Sequence, residues 1–148
     1  MAVSYRPDGY RDVTPYLIVE NAGEVIDFIT SVLGGKERMR MPGANGGVGH
    51  AEIEVGDSLI MLADSAEAEN NVTVLGMIHV YLEDVDAAYK AAIAAGLSSE
   101  REPITQFYGD RVASVKDRFG IFWYLATHVE DVPPEEMAKR AAEWQAQQ

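Results

Sequence analysis

Alternation of hydrophobic and polar residues along short stretches of the chain predicts β-strands. In the stretch MIHVYL, residues 77–82, every second residue is aliphatic, and the residues between them are Met77, His79 and Tyr81. Successive side chains of a strand point to opposite faces of the sheet. We therefore expect the aliphatic residues to pack on a core, and the imidazole and phenol to face a ligand cavity on the other side.

Helical patterns follow two of the predicted strands at matching places. Asn21 and Asp84 precede them, and both are residue types that cap helix N-termini. Gly34 and Gly96 follow them, at the position where glycine commonly ends a helix. Position 84 lies 63 residues after position 21, which indicates that the chain contains the same pattern twice.

The remainder of each pattern predicts a β-hairpin. Residues 50–62, HAEIEVGDSLIML, read as two strands joined by a Gly56-Asp57 turn, and residues 110–125 repeat this hairpin with a turn three residues longer. Met61 and Tyr124 then occupy equivalent positions. The pattern predicts an α+β fold with two β-α-β-β-β modules, residues 12–64 and 77–130, in a single domain of residues 1–148. Residues 65–76 form an acidic linker that we expect to be mobile.

The last segment, residues 131–148, is predicted to be a helical tail. Pro133 and Pro134 begin it, and acidic residues fill its first turn. Met137, Ala141 and Trp144 form one stripe. We expect this stripe to pack on the domain or on a second subunit.

Composition narrows the classes of function. Hydrophobic residues make up 47% of the chain, the formal net charge is −12, and there is no cysteine. Such acidity disfavours binding to nucleic acid or to an anionic membrane. The absence of cysteine excludes disulfides and thiolate metal sites. With no apolar run long enough to span a membrane and no signal-peptide pattern at the N-terminus, we expect a cytoplasmic protein.

Taken together, the stretches PYLIVENAGEVIDFITSVLGG, GHAEIEVGDSLIMLAD and QFYGDRVASVKDRFGIFWYLATHVEDV resemble the vicinal-oxygen-chelate superfamily. This is the glyoxalase, bleomycin-resistance and extradiol-dioxygenase group, and the resemblance is strongest to its PhnB-like branch. The resemblance implies curled, mostly antiparallel sheets around a cavity, usually in a homodimer. The superfamily contains metal enzymes and also metal-free proteins that sequester small ligands, so the fold does not choose the function.

The resemblance also implies where a metal ion would be held. Metal-binding members place ligands on the first and last strands of each module, and these positions correspond here to Thr14, Met61, Met77 and Tyr124. None of these is a good ligand for a hard or borderline divalent ion. We therefore expect no metal cofactor.

Strand parity predicts the residues that line a ligand pocket. They are mainly aromatic and apolar with polar tips, as in many small-molecule sites: Tyr16, Met61, Met77, His79, Tyr81, Phe122 and Tyr124. His79 either hydrogen-bonds a ligand, acts as a base or is a structural histidine. Arg111 either clamps a carboxylate or phosphate of a ligand or pairs with an acidic neighbour. His128 is expected at the surface or at an interface.

Two further segments carry polar or flexible residues. His50, Glu52 and Glu54 lie on one side of a strand, and a solvated face is the plainer interpretation. The alternative is a divalent metal site formed by His50, Glu52 and His79. The glycine-rich segment 41–49 lacks a phosphate-loop signature and is expected to be a mobile flap over the pocket.

These observations lead to one main hypothesis and two alternatives. The main hypothesis is a homodimeric, metal-free protein that binds or sequesters a planar or aromatic small molecule. The first alternative is a metal-dependent lyase, isomerase or dioxygenase of the same superfamily with the non-standard site. The second is a structural or regulatory dimer with a vestigial cavity. Whether the protein is an enzyme stays open at this point.

Overall fold

The computed structural model describes residues 8–11, 13–68, 73 and 75–147. The chain divides into two compact units, and the boundary lies between Gly76 and Met77, where the second predicted module begins. The first boundary of module one, residue 12, and residues 69–72 and 74 of the predicted linker lie outside the described residues. Among the described residues, no helix is long and apolar enough to span a bilayer.

The first unit is one helix on a four-stranded mixed sheet. Its elements are β1 (Tyr16–Val19), α1 (Ala22–Ser31), β2 (Lys36–Pro42), β3 (Val48–Val55), β4 (Ser58–Asp64) and a short 3-10 helix (Ser65–Glu67). The strand order is β1-β4-β3-β2. β1 runs parallel to β4, and the other pairs are antiparallel.

The second unit repeats this arrangement and adds a helix. Its elements are β5 (Met77–Tyr81), α2 (Val85–Ala94), β6 (Ser98–Thr105), β7 (Asp110–Lys116), β8 (Phe122–His128) and α3 (Pro134–Ala146). The strand order is β5-β8-β7-β6, again with the first and last strands of the module parallel. The predicted α+β class is confirmed. Neither sheet closes on itself, so each has two edge strands.

Strand register confirms the internal repeat in detail. Tyr16 pairs with Met61 in the first sheet, and His79 pairs with Tyr124 in the second. Both members of the second pair lie 63 residues after their counterparts. The predicted caps are also present, because the side chains of Asn21 and Asp84 accept the backbone N–H of the third residue of each helix.

α1 and α2 each pack on one face of their own sheet, and neither covers the opposite face, which we call the helix-free face. In the first unit, Leu17 and Val19 of β1 are buried while Tyr16 is exposed. In the second unit, Trp123 and Leu125 of β8 are fully buried on the helix side. Strand alternation therefore places the next residues along each strand on the helix-free face. The aromatic and polar residues predicted to line a pocket lie on these faces.

The C-terminal helix α3 is anchored to the second unit by an ionic cluster and by aromatic packing. Arg140 donates to Glu130, Glu136 and the Phe107 carbonyl oxygen at 2.8–3.2 Å. The Trp144 ring lies 5.7 Å from the Phe107 ring. Within this chain the stripe of Met137, Ala141 and Trp144 is only partly covered, because no residue of α3 is buried. Its packing on a second subunit stays a prediction.

Candidate functional site

The helix-free face of the second sheet exposes a cluster of aromatic and apolar side chains. We call it the His79 face and define it by five residues: Met77, His79, Tyr81, Phe122 and Tyr124. Met77 is 64% exposed and Tyr81 is 63% exposed, whereas the intervening Val80 is buried. The alternation in the sequence correctly predicts which side of β5 packs on the core.

His79 lies at the centre of this face, between two phenol rings. Its ring centroid is 4.8 Å from that of Tyr81 and 5.2 Å from that of Tyr124, and both pairs are tilted. Such spacings are typical of favourable aromatic contacts. The imidazole is therefore held in place while the face remains open to solvent.

A row of four residues crosses the second sheet through His79. Successive strand pairings connect His79 to Tyr124, Tyr124 to Ser114, and Ser114 to Arg101. A guanidinium nitrogen of Arg101 lies 3.3 Å from the Tyr124 hydroxyl oxygen. Tyr108 is hydrogen-bonded to the Tyr124 phenol. Burial of Tyr108, together with this adjacent phenol, raises the pKa of Tyr108 to about 12. The row thus joins an imidazole, a phenol, a serine hydroxyl and a guanidinium, and the Tyr108 phenol lies beside it.

Asp110 organises a second polar cluster at the end of the His79 face. Its carboxylate is buried. The carboxylate accepts a hydrogen bond from the Tyr81 hydroxyl at 2.9 Å, and it lies 2.7 Å from His128 Nδ1. The other ring nitrogen of His128 lies 2.8 Å from Asp131. Hydrogen bonds to Asp110 and Asp131 raise the pKa of His128. The hydrogen bond to Asp110 raises the pKa of Tyr81.

The sequence interpretation missed the Asp110 cluster. It placed His128 at the surface, and the side chain is indeed half-exposed, but its partners were not identified. Asp110 and His128 are directly paired across β7 and β8. Finding this pair from sequence requires the exact register of the 117–121 turn, which the alternation alone does not fix.

The helix-free face of the first sheet carries a different network, centred on Glu52. Tyr10 donates its hydroxyl to both Glu52 oxygens, at 2.6 and 2.8 Å, and His50 Nε2 lies 3.1 Å from one of them. The Tyr16 hydroxyl lies 2.9 Å from His50 Nδ1. Glu52 is only 2% exposed. The expectation of a solvated face is therefore wrong for Glu52, because Tyr10 covers it.

Glu52 is held as an anion. Burial is the strongest single influence and would raise its pKa, but the hydrogen bonds from Tyr10 and His50, with the charge of Arg38, together lower the pKa. Arg38 lies 3.8 Å from the carboxylate and also stacks over the Tyr10 ring at 4.6 Å. The carboxylate therefore already has its partners within the first unit.

Arg111 is engaged on the helix side of the second sheet. It donates to both oxygens of Asp86, at 2.7 and 2.8 Å, in the first turn of α2. A two-point guanidinium–carboxylate pair of this kind fixes geometry as well as charge. Of the two alternatives for Arg111, pairing with an acidic neighbour is the one observed.

Two carboxylates accept backbone hydrogen bonds from the glycine-rich segment 41–49. Glu67 accepts the backbone N–H groups of Asn45 and Gly47 at 3.0 Å, and Asp64 accepts that of Val48 at 2.5 Å. Asp64 also accepts the N–H of Ala22 at the start of α1. These bonds connect the segment to the end of β4 and to the 3-10 helix that follows it. The expectation of a mobile flap over the pocket stays a prediction.

Comparison with known proteins gives the family. Residues 12–125 match the model of the Glyoxalase/Bleomycin resistance protein/Dioxygenase superfamily. The chain belongs to the glyoxalase/bleomycin resistance/dioxygenase superfamily. It is 31% identical over 146 residues to the uncharacterized protein Mb0911c of Mycobacterium bovis, with 93% of each chain covered. The uncharacterized protein Rv0887c of Mycobacterium tuberculosis is also 31% identical, with 93% of this chain and 84% of that one covered.

Solved structures share the fold of this superfamily. TioX from Micromonospora sp. ML1 superimposes with a TM-score of 0.66 at 22% identity, covering 80% of this chain and 99% of that one. Lactoylglutathione lyase from Agrobacterium tumefaciens gives a TM-score of 0.60 at 17% identity, covering 82% and 94%. At such identities the similarity concerns the fold alone.

The positions that the sequence resemblance assigns to metal ligands include Thr14, Met61 and Tyr124. Thr14 donates to the Arg11 carbonyl oxygen at 3.4 Å, and Met61 and Tyr124 are partly buried on their sheets. Hydroxyl, thioether and phenol groups are a poor set for a divalent ion. Within either unit, the described residues contain no group of three His, Asp or Glu side chains placed to hold a metal. The set of His50, Glu52 and His79 draws on both units and stays a prediction.

Proposed function

We propose that this superfamily member is a small-molecule-binding protein that holds its ligand against the His79 face without a bound metal ion. The observation that carries this proposal is the exposed aromatic cluster, in which His79 lies within 4.8 and 5.2 Å of two phenol rings. A planar or aromatic ligand fits such a surface by stacking, and the imidazole supplies a hydrogen bond that orients it.

Exposure of large side chains supports a binding role. Met77, Tyr81 and Phe122 are 64%, 63% and 38% exposed. Met77 is paired with Phe122 across β5 and β8, and Tyr81 lies on the same face of β5, beyond His79. Contiguous apolar surface on a soluble protein usually marks a site of binding or association. Tyr81 and Phe122 each follow or precede a buried residue in the chain, Val80 and Trp123, so both strands are anchored on the core. A strand that is paired within a sheet and presents exposed rings is suited to binding a ligand.

The hydrogen bonds of Glu52 in the first sheet support the part of the proposal that no metal ion is bound. Glu52 is the buried carboxylate on its helix-free face, and it already accepts hydrogen bonds from Tyr10 and His50. Binding a metal ion there would require Tyr10 to leave. Loss of that hydrogen bond adds a cost of about 1–3 kcal/mol to metal binding.

The first alternative is an enzyme of the same superfamily that uses His50, Glu52 and His79 around a divalent ion. The 3.1 Å contact between His50 and Glu52 favours it, since two of the three ligands are already adjacent. The second alternative is a structural or regulatory dimer with a vestigial cavity. The PhnB-like branch and the homodimeric state are further parts of our proposal, resting on the sequence resemblance.

Binding of a neutral aromatic probe tests the proposal. We expect N-phenyl-1-naphthylamine to bind the protein in the presence of EDTA with a fluorescence increase, and His79→Ala to weaken this binding about tenfold through lost contacts. Tyr89→Ala removes an aromatic ring from α2, on the opposite side of the sheet, and is the control. Equal affinities in wild type and His79→Ala would refute the proposed face.

Elemental analysis separates the enzyme alternative from the main proposal. After exposure to zinc, nickel, manganese or iron salts and desalting, we expect well under one ion per chain. An ion retained in a one-to-one ratio and lost in His79→Ala would replace the proposal with the metal-enzyme alternative.

A further inference from the structure

Arg101 is the cationic end of the row that passes through His79. It pairs with Ser114 on β7, which pairs with Tyr124 on β8, which pairs with His79 on β5. Residues paired in register project on the same side of a sheet, and neighbouring strands lie about 4.8 Å apart. The guanidinium reaches back along this row to the Tyr124 hydroxyl at 3.3 Å. A positive charge therefore lies at the margin of the aromatic face.

This arginine differs from five other arginines of the described residues. Arg11, Arg38, Arg40, Arg111 and Arg140 each lie within 4.0 Å of a carboxylate oxygen. In the part of the chain that the structure describes, Arg101 donates to the Tyr124 phenol and forms no such ion pair. In a protein with a net charge of −12, an arginine without a carboxylate partner is available for an external anion.

A cleft opens beside Arg101 between β6 and α3. Its volume is about 590 Å³, and its lining combines apolar surface with a few polar groups: Arg101, Glu102, Pro103, Ile104, Gln106 and Trp144. Glu102 also lines the cleft and repels an anion there, so we place the negative group on the Tyr124 side of Arg101. Ile104 and Trp144 are exposed and offer apolar contact to a ligand that extends past Arg101.

We infer that Arg101 is an anion-binding residue of the ligand site and that the ligand class is an aromatic or planar acid. The inference rests on the proposed function and makes it more specific. The rings of the ligand lie on His79 and Tyr124, and a carboxylate, sulfonate or phosphate of the ligand accepts from the Arg101 guanidinium beside the Tyr124 hydroxyl. A fork of guanidinium N–H donors suits such groups.

A matched pair of probes tests this inference. 8-Anilinonaphthalene-1-sulfonate carries the same ring system as N-phenyl-1-naphthylamine with an added sulfonate. We expect wild-type protein to bind the sulfonate probe at least as tightly as the neutral one, despite the acidic chain. Arg101→Gln should lower the affinity for the sulfonate probe about tenfold and the affinity for the neutral probe by less than about twofold. Arg101→Lys keeps the charge without the fork and should give an intermediate loss.

Lys90→Gln is the control, because it removes the same charge from α2 on the other side of the sheet. Any of three results would overturn the inference. Arg101→Gln could leave the affinity for the sulfonate probe unchanged, or it could reduce the affinities for both probes equally. The third such result is that the wild-type protein does not bind the sulfonate probe. If the neutral probe still depends on His79 in any of these cases, the proposed function stands. If neutral-probe binding is independent of His79, the proposed function itself fails.

Discussion

Single residues at equivalent positions give the two modules different chemistry. The first row is Tyr16, Met61, Glu52 and Met39, and the second is His79, Tyr124, Ser114 and Arg101. The first row contains a buried anion that is closed off by Tyr10. The second row is open, aromatic and ends in a cation. We attribute ligand binding to the second row because His79 is exposed and Arg101 has no carboxylate partner among the described residues.

The network around Glu52 should contribute measurably to stability. Glu52→Ala leaves the Tyr10 hydroxyl and the His50 ring without their acceptor, and we expect a loss of about 1–3 kcal/mol in the free energy of unfolding. Glu54→Ala, at an exposed position on the same strand, should change it by less than about 0.5 kcal/mol. Urea denaturation measures both. Similar small changes for the two variants would mean that the buried network has no energetic role.

His128 should stabilise the second unit in a pH-dependent way. Its hydrogen bonds to Asp110 and Asp131 raise its folded-state pKa above the unfolded value of 6.5. The stabilisation is therefore complete below about pH 6.5 and is lost as the pH rises through the raised folded-state pKa. We expect the difference in Tm between wild type and His128→Gln to be largest below about pH 6.5 and to shrink as the pH rises through the raised folded-state pKa. A difference that grows with pH would contradict this assignment.

At the scale of elements, the sequence predicts the β-α-β-β-β order twice, together with both helix caps. It succeeds because the signals are local: alternation within a strand, a capping residue before each helix and a glycine with positive φ after each one, Gly34 and Gly96. Residue pairs that depend on exact register or on distant segments are harder to predict. Glu52 appears solvated in the sequence because its cover, Tyr10, lies 42 residues away.

Arg140 should hold α3 onto the second unit. Arg140→Ala removes its bonds to Glu130, Glu136 and the Phe107 carbonyl, and we expect faster amide hydrogen exchange along residues 134–146 with little change in β8. Lys139→Ala is the control, because Lys139 is an exposed cation next to Arg140 in the same helix. Equal exchange in the two variants would show that Arg140 does not anchor the helix.

At the scale of the whole molecule, the two sheets leave edge strands and exposed apolar faces. Met41 on β2, Ile104 on β6 and Met77 on β5 are all more than half exposed. Edge strands and apolar surface of this kind favour association with another chain. Together with the superfamily resemblance, they motivate the prediction of a homodimer.

Light scattering at micromolar concentration tests the predicted homodimer. We expect a mass of about twice that of one chain, since obligate interfaces persist at such concentrations. Introducing a charge by Ile104→Glu tests whether β6 takes part, and Val13→Glu, at another exposed apolar position, is the matched control. A wild-type mass of 16.2 kDa would show that the protein is a monomer.

The central claim is that a small aromatic molecule binds on the His79 face, and methionine methyl NMR tests it most directly. Met77 lies on that face, whereas Met137 lies on α3 of the same unit. With ¹³C-methyl-labelled methionine and N-phenyl-1-naphthylamine in the presence of EDTA, we predict a large ring-current shift of the Met77 signal and little change at Met137. A Met77 signal that stays in place at saturating probe would contradict the account.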